Sequence, residues 1–506
     1  MIKNFKWLLL VSLTFAACNN DDDAVVPQVP ITSGSADFSN YVALGNSLSA
    51  GYTDGALYLK GQENSWTKIL SDQFRLAGGG DFNIPFVNDN IGGLLLGGNV
   101  IAENRLYFNG AGPVRLPGTP TTEIGTPLTG PFNNMGVPGA KSFHLLAPGY
   151  GNVAGLLASP RTANPYFVRF ASSPSTSIIA DALAQNPTFF SLWIGNNDVL
   201  GYATTGGDNS DPITPATGAP GVGFDGTYNA LVSNLKTNGA KGVVANIPYV
   251  TTIPFFTTVP VNPLTAKAIG GGDEAVGQAN IAALNAQLYG PLKQALTFFN
   301  AGDRINLLSA TGANPLLIKD ESLTNLSAQL TVAFTPTLGA PTAAFYGQIF
   351  GQARQAKAGD LVLLTTQGAI GAAPTGIPAP LNKYGITYPL EDKHILIPTE
   401  INDLKVATDA YNATISATAT ANDLAFVDAN ALMTRLATGG IVSNSFTLTS
   451  ALVFGNAFSL DGIHPTARGY ALIANEFAKA INAKYGSNLP LVNTDDYNNL
   501  NSVQVP

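Results

Sequence analysis

Four stretches of the chain are nearly unbroken apolar runs, each of strand length: "YVALG" (41–45), "FFSLWIG" (189–195), "GVVANIP" (242–248) and "LAFVD" (424–428). A run without polar alternation is the pattern of a strand covered on both faces, as in a parallel sheet. Between the runs the period becomes helical. A helical stretch follows Ser47, "TYNALVSNLKTNG" lies ahead of the third run, and "TEINDLKVATDAYNATISATATAND" ahead of the fourth. Near the end, Tyr470, Ile473, Phe477 and Ile481 recur at steps of three and four, the stripe of a helix with one buried face. Strands alternating with helices need parallel crossovers, so the expected class is α/β, with a mostly parallel sheet sandwiched by helices.

Two stretches do not fit a minimal sheet. Residues from about Gly78 to Pro131 are rich in Gly, Pro, Thr and Asn. The part from about Thr251 to Pro398 adds a long helical candidate, "EAVGQANIAALNAQLYGPLKQALTFFN" (274–300). Both read as insertions in one domain over 38–490, with a tail over 491–506. There is no internal repeat. "GGGD" and "IGGLLLGGN" read as loop glycines, because a phosphate cradle needs a strand before it and a helix opening after it.

The beginning of the chain bears on location. "MIKNFK" is basic, "WLLLVSLTFAA" is apolar but too short to span a bilayer, and "FAAC" puts two alanines before the single cysteine. This resembles a bacterial lipoprotein signal peptide, which implies loss of residues 1–17 and acylation of Cys18. The alternative is an ordinary secretory signal with an incidental cysteine. The polar stretch over 18–37 reads as an extended tether. Its acidic triplet, Asp21 to Asp23, resembles the surface-export signal of Bacteroidetes lipoproteins; a solvated linker is the other reading. The expectation is an outer-membrane lipoprotein exposed at the cell surface, with the periplasmic face as alternative. The formal net charge of -8 has no Lys/Arg cluster behind it, which argues against a nucleic-acid partner.

The chemistry centres on Ser47, at the tip of the first run. A serine hydroxyl attacks only when a base takes its proton, and the base needs a third group to orient it. The chain has 3 histidines. His144 has no carboxylate near it in sequence, and His394 follows a charged pair at the edge of an apolar run; both read as structural or solvent-facing. His464 stands in "SLDGIHPTARGY", three residues after Asp461, with Gly462 permitting a sharp turn and Pro465 able to open the next helix. Acyl transfer also needs donors for a developing oxyanion. Gly139, in "NMGVPGAKS", leaves its backbone N–H open to substrate, and Asn197, in "WIGNNDVLG", offers a side-chain amide at a strand end. Taken singly, Ser47 could cap a helix, Asp461 form a turn, Asn197 cap a strand end and Gly139 serve a turn. "GGDNSDP", with Asp208 and Asp211, lacks the spacing and terminal Glu of a calcium loop and reads as polar surface.

Gly45-Asn46-Ser47-Leu48, the N-x-x-x-x-G stretch ending at Gly139, Gly195-Asn196-Asn197-Asp198 and Asp461-Gly462-Ile463-His464-Pro465 together resemble the four ordered blocks of the SGNH hydrolases, the GDSL esterase/lipase family. The resemblance implies a flavodoxin-like α/β/α core and a triad of Ser47, His464 and Asp461. It also implies an oxyanion hole from the N–H groups of Ser47 and Gly139 and the Asn197 side chain, with no metal or organic cofactor. Asn46 stands where the family name has Asp. An α/β-hydrolase elbow does not fit, because Ser49 occupies the place of its second glycine. The implied activity is hydrolysis of carboxylic esters, of acyl lipids or of acetylated carbohydrates. A reading from another class is a surface binding lipoprotein on a retained hydrolase fold.

Overall fold

The computed structural model describes residues 30–498, and the compact unit discussed below begins at Thr32. Cys18, the leader before it and most of the expected tether lie outside the described residues.

The central sheet has five strands: β1 (Tyr41–Gly45), β2 (Asn134–Gly136), β3 (Phe189–Trp193), β4 (Lys241–Ala245) and β5 (Ala425–Val427). The four apolar runs supply all but β2, and every residue of β1 and β3 is buried. The strands lie in the order 2-1-3-4-5 and all neighbours are parallel. The chain thus moves to one side of β1 for β2, then back across it for β3. Open sheets bind ligands at the carboxyl ends of strands where the order reverses in this way.

The helices that frame the site are α1 (Ser47–Ala50), α2 (Trp66–Leu76), α3 (Asn196–Thr204), α4 (Phe224–Leu235), α5 (Pro398–Ala421), α6 (Ala429–Thr438) and α7 (Ala467–Tyr485). The segments α2 and α7 pack together, with Trp66 stacked on Phe477 at 4.1 Å between ring centroids. The long α5 packs on α3 and α4, where Phe224 stacks on Tyr411 at 4.2 Å. The right-handed crossovers usual in parallel sheets would put these two groups on opposite faces of the sheet. Helix α7 opens with Thr466 accepting the Gly469 N–H at 3.0 Å and closes on Gly486 at φ 70. Its stripe of Tyr470, Ile473, Phe477 and Ile481 is buried as expected, each large side chain contributing roughly 1.5–3 kcal/mol.

The domain is longer at both ends than the sequence suggests. Ser35 N–H donates to Tyr485 O at 2.8 Å, satisfying a carbonyl that the end of α7 would leave unpaired, and Ala36 is buried. On the other side, Asn475 donates to Val492 O at 2.9 Å and Thr494 is fully buried.

The first insertion forms two antiparallel hairpins, Leu94–Leu96 with Asn99–Ala102 and Leu106–Phe108 with Pro113–Arg115. Gly97 and Gly98, at φ 57 and 79, make the two-residue turn of the first, a conformation open to glycine at little cost. The second insertion has its own core, from Val259 to Ile397, built on the helices Glu274–Leu284, Gly290–Phe298, Ser327–Leu338 and Ala340–Phe350. The expected continuous helix over 274–300 widens to a π-helical turn at Asn285–Tyr289. Pro291 follows one residue later, after Gly290; its missing N–H and its ring's clash with a preceding carbonyl account for the widening. Within this core Arg354 Nε donates to Asp320 at 2.5 Å and its two Nη atoms to Asp360 at 2.6 and 2.7 Å, all three side chains buried. The insertion joins the sheet through a neck, where Val259 bridges Val362 and Leu361–Val362 pairs antiparallel with Ile395–Leu396.

Candidate active site

Strand β1 ends at Gly45, where a Cβ would lie 2.2 Å from Ser49 Oγ and 2.7 Å from Trp193 O, so only glycine lets the chain turn this tightly against β3. Asn46 caps the turn: its Oδ1 accepts the Leu48 N–H at 3.0 Å and its amide donates to Asn196 at 3.3 Å. Ser47 is thereby held on the first residue of α1. The helical stretch expected after it is a single turn, closed by Gly51 at φ 84. Asn134, which begins the N-x-x-x-x-G block, anchors that turn by donating to Ser49 O at 2.9 Å and Thr67 Oγ1 at 3.1 Å.

The turn before α7 brings the other two groups to Ser47. His464 Nε2 lies 2.9 Å from Ser47 Oγ, and His464 Nδ1 lies 2.8 Å from Asp461 Oδ2. The carboxylate is fixed on every side. Its Oδ1 accepts from Ile463 N–H at 2.8 Å, His464 N–H at 2.9 Å and Ser459 Oγ at 3.0 Å, and Oδ2 accepts from Gly55 N–H at 2.8 Å. Burial alone would raise the Asp461 carboxyl, but the His464 imidazole and these N–H donors outweigh it and hold it down at about 2. An ionised carboxylate so placed fixes the tautomer with Nδ1 protonated and leaves Nε2 free to accept the serine proton.

The segment from Tyr52 to Gly55 completes this cradle, and sequence patterning did not single it out. The Tyr52 ring lies 4.6 Å from that of His464, and Thr53 Oγ1 donates to Pro465 O at 2.8 Å. Asp54, at φ 51, donates its N–H to Ser459 Oγ at 2.9 Å and accepts from Leu460 N–H at 3.1 Å and Tyr58 OH at 2.9 Å. Burial pushes its carboxyl up to about 6 despite those donors. The available signal was the "DG" pair at 54–55, a turn marker with no hint of a partner some four hundred residues away.

The two oxyanion candidates are joined to each other. Asn197, on the first turn of α3, lines the same cavity as Ser47 and His464, and one of its amide hydrogens is directed to Ala140 O at 2.9 Å. Its neighbour Asp198 is buried and accepts Ser142 N–H at 2.8 Å and Ser142 Oγ at 2.6 Å. The loop over 139–142 is thus clamped to α3 at two points. Gly139 sits on it at φ 81, exposed, and its N–H has no acceptor among the described residues. Gly139 lies outside the lining of the cavity that Asn197 shares with Ser47. The Ser47 N–H, in the first turn of a helix, has no acceptor within that helix.

The remaining candidates are structural. His144 Nδ1 accepts the Lys141 N–H at 3.0 Å and its ring stacks on Tyr150 at 4.3 Å. His394 Nδ1 accepts the Glu391 N–H at 3.2 Å. Asp208 caps its own loop through Ser210, and Asp211 pairs with Lys141 at 2.5 Å. No group of three metal-ligating side chains occurs among the described residues. A groove of about 830 Å³ runs past Asn83, Pro131 and Phe170, but neither the triad nor Asn197 borders it. The cavity at Ser47 is smaller, about 90 Å³, and alone of the two adjoins a nucleophile and a base.

Comparison with protein-family models, curated proteins and solved structures finds no match.

Proposed function

We propose that the chain is a serine hydrolase of carboxylic esters, of the SGNH type and on a flavodoxin-like core. The observation that carries this is the continuous relay from Ser47 Oγ through His464 to Asp461, at 2.9 and 2.8 Å, placed where the strand order of the sheet reverses. In this reading Ser47 Oγ attacks the ester carbonyl carbon while its proton passes to His464 Nε2. The negative charge that gathers on the carbonyl oxygen is met by the N–H groups of Ser47 and Gly139 and by the second amide hydrogen of Asn197. The carbon–oxygen bond to the alcohol then breaks, and the alcohol takes the proton from His464. Water attacks the acyl-serine with His464 again accepting a proton, the acid leaves, and Ser47 regains its hydrogen. The buried Asp461 carboxylate stabilises the imidazolium formed in each half-reaction.

The direct test is Ser47→Ala. Ester turnover is expected to fall by about 10⁴-fold or more, on the usual scale for loss of a triad nucleophile, with an unchanged circular dichroism spectrum. A fluorophosphonate labels the parent chain and spares the variant. Equal labelling of the two would remove Ser47 from the mechanism.

A further inference from the structure

The cavity beside Ser47 is polar only at its reacting end, where Asn46, Asn196, Asn197 and His464 meet. Beyond them it is lined by hydrocarbon, chiefly Val250, Ile253, Leu432, Met433, Phe458 and Leu436. A sugar hydroxyl placed there would be buried without a partner, which is costly, while an acetyl group would leave most of the space unfilled. The acyl group is the part of an ester that stays bonded to Ser47 between the two half-reactions, whereas alcohol and water must come and go. A recess walled by side chains therefore suits the acyl group. Its volume of about 90 Å³ is smaller than the ~150 Å³ that encloses benzene, and corresponds to a saturated chain of about four carbons.

The recess has a definable end. At the C-terminal end of α6 lies a second, open groove of about 560 Å³, bordered by Thr257, Thr258, Gly440 and Leu452. Among the described residues Leu436 alone lines both cavities, and it is 7% exposed. We propose that this chain hydrolyses esters of short saturated fatty acids, and that Leu436 is the wall that sets acyl length by separating the acyl recess from the groove behind it. The proposal rests on the ester-hydrolase reading above.

The test uses the full chain and 4-nitrophenyl esters of acetate, butyrate, hexanoate, octanoate and dodecanoate, so that only the acyl group varies. Each buried methylene is worth roughly fourfold, so kcat/KM is expected to rise about fifteenfold from acetate to butyrate and to fall from hexanoate onward. Leu436→Ala opens the recess to the groove and raises the octanoate-to-butyrate ratio about tenfold; Leu436→Phe lowers it. Each ratio is taken within one protein, so a partly folded variant still reports it. Acetate as the best substrate, or ratios unmoved in both variants while a fluorophosphonate still labels Ser47, would overturn the length-setting role and leave the hydrolase reading intact. A chain that neither cleaves an ester nor takes the label takes both down.

Discussion

The sheet region and the second insertion both bury carboxylates, but on different terms. In the sheet region Asp461 and Asp54 stand in turns and Asp198 on the first turn of α3, held by backbone N–H groups and hydroxyls and, for Asp461, by His464, with no lysine or arginine bridged to them among the described residues. In the insertion Asp320 and Asp360 meet the fork of Arg354, and the charges cancel on the spot. In the proposed mechanism the first arrangement leaves the Asp461 charge available to His464, whose own charge changes during the reaction cycle; the second ties three segments of a small core together. On that reading, charge held by dipoles serves chemistry and charge held by countercharge serves architecture.

The sharpest separation of the two regions comes from Asn197→Ala. Removing one oxyanion donor is expected to lower kcat by about 10² to 10³ with little change in KM, measured by steady-state kinetics on a cleaved ester. An effect confined to unfolding midpoint would instead make Asn197 only the clamp on Ala140. On the insertion side, Arg354→Met strands two buried carboxylates and is expected to cost about 3–5 kcal/mol in denaturant unfolding. Hydrogen exchange should then quicken in Leu317–Lys319 and Ala353–Gln355 before it does in β1 and β3. Uniform quickening would mean that the two cores unfold as one.

The smallest effect belongs to the seam between them. Glu400, near the start of α5, accepts the Ile397 N–H at 2.8 Å and packs on Gly207. Burial, and then the nearby charges of Asp392, Glu321 and Asp320, push its carboxyl up to about 8. A carboxyl raised in the folded state stabilises it fully below its unfolded value near 4.5, and that contribution is lost as pH rises toward 8. Stability is therefore expected to decline across that window by on the order of 2 kcal/mol from this group, and Glu400→Gln to flatten the decline while keeping the Ile397 bond. A variant with the parent's slope would place the pH dependence elsewhere.

How far the fold was legible follows from the same physics. The apolar runs of β1, β3, β4 and β5 announce themselves because both faces of each strand are covered. Strand β2, "NMG", does not, since it is a strand by virtue of its ladder to β1 and its Asn134 side chain is spent on α1. The Ser47–His464–Asp461 relay was readable because Asp461 and His464 share one turn and Ser47 stands just past the end of a strand. The Tyr52 to Gly55 cradle was not, because its partners are brought close only by the sheet closing over it. Helical period correctly marked residues 274–300 but could not show the π turn, which Pro291 imposes locally. The buried Arg354 cluster left no trace in pattern at all, as its members sit apart in sequence and each looks like a surface charge.

The neck of the second insertion sets what kinds of change in length the chain can absorb. Phe255, just ahead of the neck, donates its N–H to Gly462 O at 2.9 Å, and a Cβ on Gly462 would press on Phe255 N at 3.0 Å. The turn that carries Asp461 and His464 is therefore braced by the root of the excursion at Phe255, with Leu364 beside it. Residues can be gained or lost at an exposed turn such as that at Gly339, where a Cβ would meet nothing within 4 Å, for little more than the slow logarithmic entropy of a longer loop. A single residue added between Pro254 and Val259 would shift the brace itself. The excursion is in this sense a cassette with exposed turns at its rim and a fixed hinge plate at Gly462.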